Sequence, residues 1–371
     1  MYIYNIMKKS IILLIIFALS LSSLSADKLP SDEKLKKMIG RMLLVGFSNK
    51  AIDKNSEIVK QINKYNLGGV ILFDRFYDDK TKVKNIQNPQ QLQLLTKNLK
   101  LFSDKPLIIS VDQEGGKVAR LKPKYGFEAT GSAKVISELD AYMTGRTYEN
   151  LAQVLHENGI NCNFAPVVDL AVNNKNKVIY KLKRSYGANP KDVVMHAGVF
   201  MDRLKKRNIL SVLKHFPGHG SSLGDSHKGF VDITNTWSEI ELEPYKELIK
   251  TGNVKMIMTA HVFNKNLDEK YPATLSYKIN TKLLREKMGY DGVIISDDLQ
   301  MKAISKHYSL KDVVTLSINS GVDILLFGNQ LAEQNIDELV ETILQQVKNG
   351  KIPLSKLEES NKRISALHVE N

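Results

Sequence analysis

Polar residues in this chain sit at the ends of apolar runs, and their types suit acid–base, nucleophilic or metal chemistry. Asp112 ends one such run, with Glu114, Gly115, Gly116 and Arg120 close behind it. Asp169 ends another. Lys214 and His215 end a third, which leads through Phe216-Pro217-Gly218-His219-Gly220 to Asp225-Ser226-His227. His261 and the pair Asp297–Asp298 end two more. Carboxylates serve as nucleophiles, bases or ion-pair partners, and an imidazole titrates near neutral pH. The same His215, His219, His227, His261 and Asp297 are donor types that a divalent ion selects. Pro217 and Gly218 separate His215 from His219, which argues against i, i+4 ligands on one helix face. No metal and no cofactor is expected.

The elements that must position these residues alternate. Short runs rich in Val and Ile cover 42–47, 69–73, 106–112, 162–169, 210–215, 256–261, 292–297 and 323–327. Continuous apolar runs of this kind are expected of parallel strands buried on both faces. Between them amphipathic spacing predicts helices over 89–102, 191–207, 237–250, 281–288, 310–320 and 333–348. Asn88, Asn280 and Ser309 read as N-caps, and Gly321 as a C-terminal glycine. Residues 27–40 and 354–371 read as flanking helical pieces. Strand–helix alternation to a count of eight predicts an α/β fold, a closed (β/α)₈ TIM-type barrel, as one catalytic domain over 27–371; an open doubly wound sheet is the alternative. In such barrels functional groups gather where strands end, so the polar set converges on one face. A strand-end pair sends its side chains to opposite sides, so only one of Asp297 and Asp298 is expected to reach a ligand.

Composition narrows the class of partner. Of 371 residues 43% are apolar, enough for a large core. Lys and Arg number 53 against 40 Asp and Glu, a net charge of +13. The lysines are scattered without an arginine-rich stripe or interleaved aromatics, so no nucleic-acid partner is expected. The single cysteine, Cys162, rules out an intrachain disulfide and reads as a small core residue. Lys8 and Lys9, an apolar run over 11–21, and Ser22, Ser23, Ser25 and Ala26 form a secretory-signal pattern. Cleavage after Ser25 or Ala26 would leave residues 1–26 as the signal peptide and put the protein in the periplasm or outside the cell. A membrane partner is expected only if that leader stays uncleaved, and the run is short for a spanning helix of about 20 residues.

Taken together, Val111-Asp112-Gln113-Glu114-Gly115-Gly116 with Arg120, the Lys214-His215-Phe216-Pro217-Gly218-His219-Gly220 block, Asp225-Ser226-His227 and Ser296-Asp297-Asp298-Leu299 resemble glycoside hydrolase family 3. More narrowly they resemble its bacterial β-N-acetylhexosaminidase branch. Phe164-Ala165-Pro166-Val167-Val168-Asp169 and Arg184-Ser185-Tyr186 fit the same pattern, and the likeness runs from about residue 36 to beyond 330.

The resemblance implies roles. Asp297 matches the nucleophile that forms a covalent glycosyl-enzyme, with net retention. His227 matches the general acid/base, with Asp225 as its partner. A carboxylate two residues away can fix the ring's tautomer and favour its cation. Gly218, Gly220 and Gly224 predict a flexible loop on which His227 swings in with substrate. Asp112, Arg120, Arg184, Lys214 and His215 match sugar-binding positions, where a carboxylate and cationic donors hold hydroxyls. The plainer reading of Asp112 and Arg120 is a rim ion pair. Arg184 follows Lys175, Lys177, Lys181 and Lys183, a stretch that also reads as a solvated loop. His261 is either functional or structural. The implied partner is a small carbohydrate, terminal β-N-acetylglucosamine on peptidoglycan fragments. Rival readings are a metal-dependent hydrolase, an exported non-catalytic sugar- or wall-binding protein, and a β-glycosidase with another sugar preference.

Overall fold

The computed structural model describes residues 29–369, so the signal pattern over 1–26 lies outside the described residues. Eight strands form one parallel sheet: β1 (Leu43–Gly46), β2 (Gly69–Ile71), β3 (Ile108–Val111), β4 (Cys162–Asn163), β5 (Leu210–Phe216), β6 (Met256–Thr259), β7 (Val293–Ser296) and β8 (Leu325–Phe327). Each pairs with the next in sequence, and β8 returns to β1, with Leu43 opposite Leu325. Between β7 and β8 the ladder closes through a parallel bridge of Ile295 with Ile324. Asp323 N–H donates to Ile294 C=O at 2.8 Å and Ser296 N–H to Ile324 C=O at 2.9 Å. The sheet is therefore a closed (β/α)₈ barrel, as its strand count implied.

All eight expected strands are present, most of them trimmed by one to three residues and one cut to two. The run expected over 162–169 keeps regular pairing only at Cys162–Asn163. Pro166 has no N–H to give the ladder. Beyond it the chain continues as an irregular edge, with Val168 N–H on Lys214 C=O at 2.9 Å and Lys214 N–H on Pro166 C=O at 3.2 Å. This irregular exit aims Lys214 and His215 into the barrel mouth, with Asp169 buried behind His215.

The helices pack their apolar stripes on the barrel's outside. Pro89–Phe102 and Leu310–Ser320 have the predicted bounds, with Asn88 accepting from Gln91 N–H at 2.9 Å and Ser309 from Asp312 N–H at 3.2 Å. Gly321 closes the second helix at φ 103°. Two expectations need correction. The helix expected over 237–250 is split into a 3₁₀ turn, Glu239–Leu242, and an α-helix, Glu243–Lys250. Asn280 is no cap: it lies inside a π-helical segment, Lys278–Lys287. Its buried amide donates to Ala273 C=O, Thr274 C=O and Ser320 Oγ, tying the segment to its neighbours. Among the described residues no helix is long and apolar enough to cross a membrane.

Asp323 secures the barrel seam. Fully buried, it accepts from Ile294 N–H at 2.9 Å, Ser360 Oγ at 2.9 Å, Arg285 Nη2 at 2.5 Å and Arg363 Nη1 at 3.0 Å. Removing one member of a buried charge cluster strands the others, at about 3–5 kcal/mol. Asp323→Ala should lose stability of that order in urea unfolding; a loss below about 1 kcal/mol, the level of an exposed pair, would contradict this account of the seam.

Candidate active site

The mouth of the barrel, at the C-terminal ends of the strands, holds a cavity of about 390 Å³. Asp112, Arg120, Arg184, Lys214, His215, Asp225, His227 and Asp297 all line it, so every site residue expected from sequence meets there. Glu114, His219 and Asp298 join them.

Five of these residues form one ion network. Asp112 accepts from Arg120 Nη2 and from Lys214 Nζ, each at 2.9 Å. Lys214 also lies 2.7 Å from Glu114, which takes Arg184 in a two-pronged pair, Nε and Nη2 each at 2.8 Å. Burial opposes ionisation of Asp112, but the charges of Lys214, Arg120 and Arg184 overcome it and hold the carboxyl well below its usual range. Glu114 is lowered in the same way, against its burial, by Arg184 and Lys214. Lys214 and Arg184 are raised, since their carboxylate partners outweigh burial. Arg184 is turned inward while Lys175, Lys177, Lys181 and Lys183 around it are exposed, so the stretch is a solvated loop with one buried arginine. Glu114 was visible in sequence as a residue near a strand end. Its position as the hub for Arg184 and Lys214 depends on a contact 70 residues distant, for which one sequence holds no signal.

Behind this network the histidines are sorted by their partners. His215 Nδ1 lies 2.7 Å from Asp169 Oδ2, and a carboxylate can only accept, so Nδ1 carries a proton. Its Nε2 lies 3.3 Å from Arg184 Nη2. His219 is buried, bonded to Ser222 Oγ at 2.6 Å, and burial pushes it down to about 4, which keeps it neutral. His261 Nε2 donates to the Asp298 carbonyl at 2.9 Å, and Nδ1 faces Thr274 Oγ1 at 2.8 Å. Burial lowers this ring too. His261 is a buried brace for the backbone after Asp297.

His227 differs from all of these. Its side chain is 49% exposed at the cavity, with Nδ1 at 3.0 Å from Asp225 Oδ1. The atoms crowding one side of the ring cost its cation hydration and would lower its pKa. The Asp225 hydrogen bond and the charges of Asp297 and Asp225 more than reverse that, and the pKa is raised. Asp297 is lowered: burial would raise it, but His261, His215 and His227 favour the anion, and its Oδ1 accepts from Asp298 N–H at 2.8 Å.

Two sequence readings of this region are revised. Gly218 and Gly220 do not make the loop flexible. Gly218 has φ 122° against Glu241, and a Cβ on Gly220 would stand 1.8 Å from Leu170 O. Close packing requires these glycines. Asn176 Nδ2 donates to the carbonyls of His219 and Gly220, and Glu241 Oε2 accepts from Gly220 N–H at 2.9 Å and Ser221 N–H at 3.3 Å. Only the stretch after Ser222 is lightly held, with Ser226 C=O accepting from Ala303 N–H at 3.1 Å. Second, Asp298 does not turn away from the cavity. β7 ends at Ser296, so strand alternation no longer governs the pair.

Barrel and mouth together define a (β/α)₈ protein whose pocket sets a free carboxylate and a carboxylate–imidazole pair against a buried ionic wall. The chain belongs to glycosyl hydrolase family 3: the Glycosyl hydrolase family 3 N terminal domain matches residues 32–367. It is 33% identical over 341 residues to Beta-hexosaminidase A of Pseudoalteromonas piscicida, covering 85% of this chain and 55% of that protein. It is 31% identical over 330 residues to an uncharacterized secreted glycosyl hydrolase of Arthroderma benhamiae, covering 87% of this chain and 90% of that one. Among solved structures, a glycoside hydrolase family 3 β-N-acetylglucosaminidase from Paenibacillus sp. str. FPU-7 superposes with a TM-score of 0.79 at 31% identity, covering 90% of this chain and 62% of that one. This chain thus spans little more than half the length of the first of these relatives.

Two removable carboxylates, Asp225 and Asp297, raise the pKa of His227. Asp225→Asn and Asp297→Asn should each lower its titration midpoint, followed by NMR of the ring Cε1–H. A midpoint unmoved by both would mean that neither carboxylate acts on the ring.

Proposed function

We propose that the chain is a retaining exo-β-N-acetylglucosaminidase that removes terminal N-acetylglucosamine from peptidoglycan fragments. The observation carrying this reading is that a free, ionised Asp297 and the Asp225–His227 pair line one cavity opposite the ionic wall. Asp112, Arg120, Arg184, Lys214 and His215 would hold the sugar's hydroxyls, their directions fixed in advance by their bonds to one another. The Asp297 carboxylate attacks the anomeric carbon, the bond to the leaving oxygen breaks, and His227 gives that oxygen its Nε2 proton. Nδ1 keeps its proton on Asp225. In the second step water attacks the same carbon, Nε2 takes the water's proton, and Asp297 is released as a carboxylate.

The electrostatics of the pair support this cycle. Asp297 is one of the groups raising the pKa of His227. While Asp297 is ionised the ring holds its proton as an acid. Once Asp297 is esterified its charge is gone, the ring's proton affinity falls, and the same imidazole becomes a base.

The hexosaminidase and β-N-acetylglucosaminidase relatives support the sugar class. The leader pattern and the secreted relative support a periplasmic or secreted setting. The surplus of 13 positive charges would favour carboxylate-bearing wall fragments as substrates.

A panel of aryl β-glycosides differing only at the second carbon should show strong preference for the acetamido sugar. A mechanism-based fluorinated glycoside should label Asp297, whereas a non-catalytic binder would stay unlabelled. His227→Gly should slow turnover of poor leaving groups by about 10²–10⁴-fold while activated substrates still form the adduct. Full turnover in that variant would remove His227 from the mechanism.

A further inference from the structure

The cavity wall is divided by chemistry. The arc from β3 to β5 is ionic, and its charges are committed to one another. The strand residues Ile71 of β2, Met258 of β6 and Leu326 of β8 make an apolar floor, joined by Phe73 and Met301. Asp74, Arg75 and Lys80 belong to the loop after β2, and the first is already paired with Lys122 at 2.5 Å. On the apolar side, beside the nucleophile position, stands one further carboxyl, Asp298.

Its two oxygens have different fates. Oδ1 accepts from Gln300 N–H at 3.0 Å and Gly328 N–H at 3.3 Å, clamping the exit of β7 to the exit of β8. His261 fixes the same residue's carbonyl. Oδ2 has no hydrogen-bond partner among the described residues, and the space beside it is kept clear by a glycine: a Cβ on Gly328 would lie 2.6 Å from it. Burial, and to a lesser degree the charge of Asp297, push this carboxyl up to about 6, so it is mainly an acceptor at neutral pH. A rigidly held acceptor that opens to the cavity at the edge of an apolar surface is placed to meet a ligand donor as the ligand displaces water.

A bare hydroxyl would satisfy the oxygen and leave the apolar floor empty. An acetamido group carries both complements, an N–H donor and a methyl. We propose that Asp298 selects the 2-acetamido group of the sugar, its Oδ2 accepting the amide N–H while Phe73, Met301 and the floor receive the methyl. Asp298 is thereby a substrate-binding and specificity-determining residue, separate from the nucleophile beside it. This inference rests on the glycosidase reading above.

The test compares kcat/KM for 4-nitrophenyl 2-acetamido-2-deoxy-β-glucoside and for the 2-hydroxy β-glucoside, in the full-length protein and two variants. Asp298→Asn retains an Oδ1 acceptor for the two backbone N–H groups and places an amide donor where Oδ2 stood. Gly328→Ala keeps the charge and crowds Oδ2. Damage common to both substrates cancels in the ratio, so a purely structural role would not move it. The acetamido-to-hydroxy ratio should fall about 10- to 100-fold in Asp298→Asn, the discrimination typical of a lost buried hydrogen bond, and should fall in Gly328→Ala as well. A wild-type ratio retained in both variants overturns the role of Asp298 and leaves the glycosidase reading standing. A wild-type protein without acetamido preference overturns the sugar class, and this inference with it.

Discussion

Lys214 is buried to 3% of its side-chain surface, and its ammonium touches two carboxylates, Asp112 and Glu114. A buried ammonium costs several kcal/mol in lost hydration unless its partners are well placed. Glu114 is itself buried and Asp112 partly so, and each takes a further cation, Arg120 for Asp112 and Arg184 for Glu114. The five charges are therefore a set, each placed and compensated by its neighbours. The set fixes where β3, β5 and the loop carrying Arg184 stand relative to one another. It also explains why the irregular exit of β4 is held in place, since Lys214 N–H and C=O pair with that segment while its side chain enters the network.

The same network decides which groups remain free. Asp112 and Glu114 spend their charge on cations and are held ionised far below neutrality. Asp297 has no Lys or Arg salt bridge among the described residues; its anionic form is favoured by three imidazoles and a backbone N–H. An imidazole, unlike an arginine, can lose its charge. Asp297 is thus a carboxylate whose electrostatic neighbours change with protonation, whereas the ionic wall opposite does not. That contrast separates groups suited to holding a ligand from groups suited to reacting with one.

Much of this was legible in the sequence, for identifiable reasons. Parallel strands buried on both faces read as continuous apolar runs, so eight of eight were found, and the polar residues ending them marked the mouth. Asn88 and Ser309 cap helices because capping is local chemistry. What failed was non-local. Asn280 has the composition of a cap, but its amide is claimed by Ala273, Thr274 and Ser320 from other segments. Gly218 and Gly220 look like hinges until Glu241 and Leu170 are found pressed against them. Asp298 was expected to face away because strand alternation was carried one residue too far.

The pinned glycines also decide how the imidazole is held. With the segment through Ser222 pinned by Asn176, Asp169 and Glu241, the freedom of His227 is confined to the few residues between Ser222 and the buried Val231. A short segment fixed at both ends samples few conformations, so holding the ring at the cavity costs less chain entropy than ordering a long, glycine-softened loop. Asp225 lies within that segment, two residues from the ring it holds, so the carboxylate–imidazole pair is positioned as a unit. Asp225 thereby sets the ring's tautomer, and the charge of Asp297 in the same cavity adds to its proton affinity.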